Sequence, residues 1–323
     1  MRVLYLDGPG PQNIRLTSDG VELPDGTIRP PFDTGYDTII VANTKGYVSY
    51  PALKALGKFG VTLALVGKGG TPLATFIPWN RNDAPLRIAQ MRAHLDPKLR
   101  LAVAKALVEA KTGAPLDQVR TIEEVRQEES IRATEYWGRI GVSRRSGYYG
   151  WGLHRNATTP ENAAINYALG ILAVKVRVAI AKVGLDPSIP FLHDPTEGKD
   201  AFVFDWQEPF RSVVDAAALR FLKTHGRESF LRDEEWVVRL TGPAARELTY
   251  EVEATLSQKV RYGGMRVPID ALMVRELRKL GKWLESPKNH SLKIAAPTLG
   301  STGKQYRITN DGGVASRALP GSG

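Results

Sequence analysis

The sequence of 323 residues has no cysteine and no uncharged apolar run of about 18 residues, the length that spans a membrane. Without cysteine, disulfides, thiolate zinc sites and thiol nucleophiles are excluded, so histidine and carboxylates would have to hold any metal ion. The longest apolar stretch, around 167–183, is interrupted by Lys175 and Arg177. The first seven residues also lack the pattern of a secretory signal. These absences predict a cytoplasmic protein without membrane association.

Charge is the next distinguishing property of the chain. It has 44 Lys and Arg against 34 Asp and Glu, a net charge of +10, and a pI of about 9.7. With 42% hydrophobic and 24% charged residues, the composition is that of an ordinary globular protein. The positive surplus favours a polyanionic partner, with nucleic acid ahead of a membrane surface. The alternative is a basic protein whose charge serves only solubility.

The hydrophobic pattern divides the chain into two regions. Short alternating runs separated by turn residues predict strands up to residue 84, with one helix near 50–59. The period then becomes helical, and it predicts helices over 86–94, 97–112, 121–140, 160–183, 206–224, 243–262 and 269–285. We therefore predict an α+β protein, with a small β-sandwich-like N-terminal domain (1–84), a larger all-α C-terminal domain (85–310) and a flexible tail (311–323).

Three polar side chains, His193, Asp205 and Glu208, lie within sixteen residues at a junction between two predicted helices. If a helix begins near Asp205, both carboxylates lie on one face of its first turn. Two close carboxylates repel each other unless a cation lies between them. Histidine and carboxylate oxygens suit Mg²⁺ or Mn²⁺. The alternative is that Asp205 and Glu208 form a capping box and His193 is an ordinary loop residue.

A charged helix over 121–140 supplies a further candidate acid. Glu129, Ala133 and Tyr136 share one helical face, and the small Ala133 leaves space beside the carboxylate. The alternative is a solvated helix with surface pairs such as Glu128 with Arg132. Basic residues that could contact a DNA backbone occur around and after this helix. These are Arg132, Arg139, Arg144 and Arg145, and Lys288, Lys293 and Lys304 of a basic, poorly periodic arm at 286–310.

Several of these stretches together resemble the CRISPR-associated integrases of spacer acquisition, the Cas-one family. The matching stretches are Arg87-Ile-Ala-Gln90, Glu129 with Ala133 and Tyr136, 162–167 (Asn-Ala-Ala-Ile-Asn-Tyr), 184–193 (Gly-Leu-Asp-Pro-Ser-Ile-Pro-Phe-Leu-His), and Asp205 followed by Glu208-Pro-Phe-Arg211. Each is weakly diagnostic alone, whereas their order and spacing together are specific. The sequence departs from the family pattern at Ser130, Pro190 and Trp206-Gln207, which leaves the proposed ligands intact.

The resemblance implies a site in which Glu129, His193 and Glu208 are catalytic and hold one Mg²⁺ or Mn²⁺, with Asp205 as an accessory carboxylate. It implies a DNA integrase and endonuclease that inserts short fragments into a CRISPR array by attack of a 3′-hydroxyl on a phosphodiester. The implied partners are double-stranded DNA (prespacer and CRISPR repeat), a second copy of the chain bound through the β domain, and the small protein Cas-two. A casposon-type transposase and a non-catalytic architectural DNA-binding protein are the alternatives.

Overall fold

A computed structural model describes residues 3–8, 10–42, 45–67, 72–78, 83–140, 157, 159–233, 236–287, 292–299 and 306–309. Its N-terminal part contains strands and one helix. The strands are β1 (Val3–Leu6), β2 (Arg15–Leu16), β3 (Val21–Glu22), β4 (Ile28–Arg29), β5 (Thr38–Ala42), β6 (Thr62–Val66) and β7 (Pro72–Phe76), and helix α1 (Tyr50–Lys58) lies between β5 and β6.

Two sheets form this N-terminal part. In the larger sheet the order is β1-β5-β6-β7; β1 and β6 both run parallel to β5, and β7 is antiparallel to β6. Parallel neighbours need a crossover connection, which α1 provides between β5 and β6; its first turn is capped by the Ser49 side chain. Strands β2, β3 and β4 form a small antiparallel sheet. The predicted α+β class is confirmed, whereas strand β7 and the parallel pairing were not predicted.

The remaining described residues are mainly helical. The helices are α2 (Ala84–Leu95), α3 (Pro97–Thr112), α4 (Ile122–Ile140), α5 (Pro160–Val183), α6 (Ala201–Gln207), α7 (Arg211–Thr224), α8 (Gly242–Leu256) and α9 (Ile269–Glu285), with 3-10 turns at Glu208–Phe210 and Arg227–Ser229. Three hairpins lie among them: β8 (Phe230–Arg232) with β9 (Val238–Leu240), β10 (Lys259–Tyr262) with β11 (Met265–Pro268), and β12 (Ala296–Leu299) with β13 (Tyr306–Thr309).

Helix α5 is the central element of the helical part. It is long and apolar enough to cross a membrane, but 83% of its most apolar 18-residue window is buried inside the protein. An apolar circumference of this kind requires packing on nearly all sides. Along one side, Val174 of α5 joins Ile40 and Ala64 of the large sheet in a shared apolar cluster. Helix α5 therefore connects the cores of the two parts of the chain.

Three details of the prediction were wrong. The helix predicted over 206–224 begins at Ala201 and is interrupted by the 3-10 turn, so Asp205 lies inside α6 and is not an N-cap. The helix predicted over 243–262 ends at Leu256, where β10 follows after two residues. Within the predicted basic arm, Leu292 and 294–296 are buried, because this segment packs into the main core. The domain boundaries stay predictions, and 311–323 lies outside the described residues.

Candidate active site

The segment 184–193 is held in place by side chains of α2. Gly184 ends α5 with φ of 96°, a left-handed conformation that glycine adopts without a steric penalty. The fully buried Gln90 donates hydrogen bonds of 2.9 Å to the carbonyls of Asp186 and Ile189, and its own oxygen accepts from the Asp186 amide. The His94 ring lies 2.6 Å from the Pro190 carbonyl. The segment is thereby fixed in one path towards His193.

Two arginines hold the end of the same segment. Arg100 of α3 donates to the carbonyls of Phe191 and His193 at 3.0 and 3.1 Å. Arg126 of α4 donates to the Leu192 carbonyl at 2.8 Å and to the Asp194 carboxylate at 2.7 Å. Because these guanidinium groups bind the carbonyls of His193 and of the two residues before it, they fix the position from which its ring projects.

Asp205 orients His193 directly. Its carboxylate is fully buried and accepts the backbone amides of Phe191, Leu192 and His193. Its Oδ1 also lies 2.6 Å from Nδ1 of the His193 ring. An ionised carboxylate only accepts hydrogen bonds, so Nδ1 carries a proton, and in the neutral ring Nε2 then keeps its lone pair. This arrangement is typical of metal-binding histidines, whose second nitrogen donates to a carboxylate.

Glu129 of α4 and Glu208 of the 3-10 turn meet at one cation, the ammonium of Lys111. Lys111 lies in the last turn of α3, and its Nζ donates to Oε1 of Glu129 and to Oε2 of Glu208. Arg211 approaches the other oxygen of Glu208 at 3.4 Å. Side-chain exposure is only 15% for Lys111 and 10% for Glu208, so the cluster is screened from bulk water.

Burial and charge act against each other on the acid–base groups of this cluster. Burial favours neutral Glu208, but the charges of Lys111 and Arg211 outweigh it and hold the Glu208 pKa well below its ordinary value. Burial also disfavours protonated His193, yet the hydrogen bond to Asp205 and the charges of Asp205 and Glu208 leave the His193 pKa raised. Burial raises the pKa of Asp215, on α7, to about 7 despite Arg211 and Lys111.

The structure thus brings the predicted site residues into two neighbouring groups. Glu129 and Glu208 form one group around Lys111, and His193 with Asp205 forms the other; the charge of Glu208 acts on the His193 ring. No hydrogen bond joins the groups in the part of the chain described. Across those residues, no three acid or histidine side chains are close enough to hold a metal ion as they stand.

The predicted DNA contacts are only partly described. Arg132 pairs with Glu128 at 3.3 Å and donates to Thr112 and to the Ala114 carbonyl, so the expected surface pair does form. Lys293 is exposed. Arg144, Arg145, Lys288 and Lys304 lie outside the described residues, as does the side chain of Arg139. Their roles in DNA binding stay predictions.

Sequence reasoning missed Lys111, Arg100, Arg126 and Asp215. Lys111 lies near the end of a predicted helix, where a basic residue is usual because it complements the helix dipole. Arg126 precedes Glu129 by three residues on α4. Residues so spaced share a helical face, so this spacing could have indicated that Arg126 lies on the side of the site. Nothing local in the sequence distinguished Arg100 or Asp215 from other residues of their helices.

The donor set fits a divalent cation. Two carboxylates from separate elements already converge on one positive charge, and the neutral His193 ring would offer Nε2 at the neighbouring group. Oxygen and imidazole nitrogen are ligands of Mg²⁺ and Mn²⁺. As the side chains stand, the Lys111 ammonium takes up the carboxylate oxygens that such an ion would use.

Comparison with known proteins identifies the family. The profile of the family described as CRISPR associated protein Cas1 matches residues 35–114 and 112–254. The CRISPR-associated endonuclease Cas1 3 of Thermus thermophilus is 24% identical over 274 residues, which cover 77% of this chain and 82% of that protein. A protein of the same name from Methanospirillum hungatei is 30% identical over 237 residues, 68% of this chain and 74% of that one.

Solved structures agree with the sequence comparison. A casposase bound to its integration product superposes with a TM-score of 0.80 at 25% identity, covering 91% of this chain and 93% of the casposase. A Cas1 protein of Thermotoga maritima, 18% identical, has the same fold with a TM-score of 0.73, over 90% of this chain and 98% of that one. The family profile spans more than half of the sequence, and the chain therefore belongs to the Cas1 family of CRISPR-associated proteins.

Proposed function

We propose that the chain is a divalent-metal-dependent DNA integrase and endonuclease that inserts short DNA fragments into a CRISPR array. The observation that carries this proposal is the convergence of Glu129 and Glu208 on one cation beside a histidine oriented by Asp205. The names of the curated relatives, CRISPR-associated endonucleases, support a nuclease. The 25% identical casposase with its integration product supports strand transfer.

The chemistry explains why such a site is needed. A DNA 3′-hydroxyl is a poor nucleophile and a 3′-alkoxide is a poor leaving group, so transesterification requires electrostatic stabilisation of the charge that develops on oxygen. Bound Mg²⁺ or Mn²⁺ supplies a Lewis acid that polarises the phosphodiester. In our proposal Glu129, Glu208 and the Nε2 of His193 hold this ion, and Asp205 holds the His193 ring in the required tautomer.

The partners follow from charge and from the exposed edges of the N-terminal sheet. The net charge of +10 suits the phosphate backbone of the prespacer and repeat duplexes. Strand β7 lies at one end of the larger sheet and exposes Leu73 (69%) and Phe76 (48%). An exposed apolar edge favours pairing with another chain, and we propose that a second copy docks there. We propose Cas2 as the further partner of this dimer.

A strand-transfer assay tests the proposal. A labelled oligonucleotide with a free 3′-hydroxyl is incubated with a supercoiled plasmid carrying a repeat, with Mn²⁺ or EDTA. We expect covalent joining only with the metal, and its loss in Glu129→Ala, His193→Ala and Glu208→Ala. DNA affinity in these variants should stay within about tenfold of wild type, because phosphate contacts dominate affinity. Glu135→Ala, an exposed acid on α4, is the matched control and should stay active.

The results also separate the alternatives. Equal activity of wild type and His193→Ala, or equal inactivity while both bind DNA, would contradict catalysis at this site; the second result would favour an architectural DNA-binding protein. The similarity to the casposase makes a casposon-type transposase the second candidate. An integrase of CRISPR arrays should join DNA preferentially at the repeat, so efficient joining at a casposon target without such preference would favour the transposase.

A further inference from the structure

Lys111 occupies a position that the proposed chemistry does not explain. Its ammonium lies between Glu129 and Glu208, the two acids to which the proposed function assigns the metal ion. The side chain reaches them from the last turn of α3, whereas the acids belong to α4 and to the 3-10 turn before α7. One primary amine of α3 thus joins acids from two other elements, α4 and the 3-10 turn.

The local charges balance only while the ammonium is present. Lys111 and Arg211 together offset the two carboxylates, and Glu208 is nearly fully buried. Uncompensated charge in a buried site is unfavourable, so the acids need a cation at all times. If a divalent ion entered and Lys111 stayed, the cluster would change from neutral to two excess positive charges. Departure of the ammonium removes one of these charges.

The same oxygens cannot serve both cations. The ammonium binds Oε1 of Glu129 and Oε2 of Glu208, which lie in the space between the two acids where a shared metal ion would bind. A lysine side chain is a flexible four-carbon stem with a point charge at its end, so its ammonium can move while the helix backbone stays in place. Arg211 touches the other oxygen of Glu208 and can remain there.

We propose that Lys111 is a further residue of the site: it neutralises Glu129 and Glu208 in the metal-free protein, and a divalent cation displaces its ammonium from between them. This inference rests on the proposed function, because it assumes that the two acids bind the metal. Metal binding and release of the lysine are then one exchange reaction. The displaced ammonium adds a mobile positive charge to the site, where DNA phosphate would be bound.

Lys175 provides a comparison inside the same protein. It is a second buried lysine, with side-chain exposure of 0%, and it pairs with Glu253 at 2.7 Å between α5 and α8. Neither residue belongs to the proposed site. Metal binding should therefore leave the buried Lys175–Glu253 ion pair undisturbed, and Lys175 is the control for a protected amine. Lys54 is exposed and is the control for an amine that reacts with or without metal.

Amine labelling of the wild-type chain tests the displacement. The native protein is acetylated briefly in EDTA or in saturating Mn²⁺, and the labelling rate of each lysine is measured by peptide mass spectrometry. We expect Mn²⁺ to raise the rate at Lys111 at least about fivefold, since its amine leaves two buried carboxylates. Lys175 should stay protected and Lys54 should be labelled equally in both conditions. An unchanged rate at Lys111 in metal-bound protein overturns the inference.

Calorimetric titration with Mn²⁺ separates failure of this inference from failure of the proposed site. Wild type should bind one ion and Glu129→Ala should not, whereas Lys111→Met should bind about tenfold more tightly because the competing cation is gone. Binding that requires Glu129, with no change of Lys111 labelling, refutes only the displacement and leaves the metal site standing. Absence of Mn²⁺ binding by wild type refutes both the displacement of Lys111 and the proposed metal site.

Discussion

Asp205 contacts His193 twice, through the backbone amide at 3.0 Å and through ring Nδ1 at 2.6 Å, and both contacts use the same oxygen, Oδ1. The other oxygen accepts the amides of Phe191 and Leu192. One buried carboxylate therefore sets both the path of the backbone before His193 and the orientation of its ring. Both oxygens accept backbone amides, so a substitution of Asp205 tests the two effects together.

Replacing Asp205 with Asn retains the shape of the side chain and removes its negative charge. We expect the His193 pKa to fall, because burial of the ring remains while the carboxylate that raises the pKa is lost. Mn²⁺ affinity should fall about tenfold or more, as for other supporting carboxylates of metal-bound histidines. NMR titration of the metal-free protein and calorimetry measure the two effects. A His193 pKa equal to wild type would contradict the assigned hydrogen bond.

Arg126→Gln should impair the site without touching its ligands. Loss of the contacts to the Leu192 carbonyl and Asp194 frees the backbone beside His193. We expect strand transfer to slow by roughly tenfold, because small displacements of a catalytic group are costly, with a parallel loss of Mn²⁺ affinity. Arg239→Gln removes a comparable pair with Asp233 in the β8–β9 hairpin and serves as the control. Equal Mn²⁺ affinity of Arg126→Gln and wild type would argue against positioning.

Asp215 makes stability depend on pH. Its carboxyl is buried, its Oδ1 has no hydrogen-bond partner among the described residues, and its pKa is raised to about 7. The folded state therefore retains a proton that the unfolded chain releases above its ordinary pKa of 3.8, so stability falls as pH rises through this window and levels off above pH 7. In Asp215→Asn, the decline in the free energy of unfolding across this pH range should be smaller than in wild type by up to about 4 kcal/mol.

Urea unfolding in EDTA between pH 4 and 8 measures the Asp215 effect. Asp194→Asn is the control, because Arg126 and Arg100 lower the Asp194 pKa, whereas the Asp215 pKa is raised. The stability that Asp194 contributes is lost only as pH falls below its ordinary pKa of 3.8, so Asp194→Asn should keep the wild-type slope between pH 4 and 8. Parallel pH profiles of wild type and Asp215→Asn would show that Asp215 is not protonated in the folded protein.

Substitutions of Lys293 and Arg132 should affect the salt dependence of DNA binding differently. Lys293 is exposed, so Lys293→Ala should lower the slope of log K against log salt concentration by about 0.9, the value for one phosphate contact. Arg132 is already bound by Glu128, Thr112 and Ala114. We therefore expect Arg132→Ala to change stability more than the salt slope. Fluorescence anisotropy with duplex DNA across salt concentrations tests both variants.

The sequence predicted the long helices well because their apolar residues keep a clear period. Helices α3, α5 and α9 have the predicted bounds, and those of α3 and α5 are marked by residues that cap helices, including Gly113 and Gly184. The hairpins in the helical part were missed because strands of three or four residues contain too few residues to reveal a period. The break at Glu208 was missed because proline fits equally well in the first turn of an uninterrupted helix.

The site was predictable only in part. Glu129, His193, Asp205 and Glu208 were selected from short motifs and from the family resemblance, and the structure shows that Asp205 acts on the His193 segment while Glu208 faces Lys111. The three-residue spacing of Asp205 and Glu208 could not reveal this division, because Asp205 lies in α6 whereas Glu208 begins the 3-10 turn that follows. Lys111 could not be predicted, since its partners lie 18 and 97 residues away in the sequence.

The 97-residue separation of Lys111 and Glu208 has a consequence during synthesis of the chain. Lys111 emerges from the ribosome 97 residues before Glu208, and no shorter fragment contains both the amine and its second partner. The segment 292–296, which packs into the same core, follows later still. A chain that ends before Glu208 therefore carries Lys111 and Glu129 without the assembled centre. The proposed active centre thus forms only after Glu208 has been made, and the core that supports it is complete only when residues 292–296 have followed.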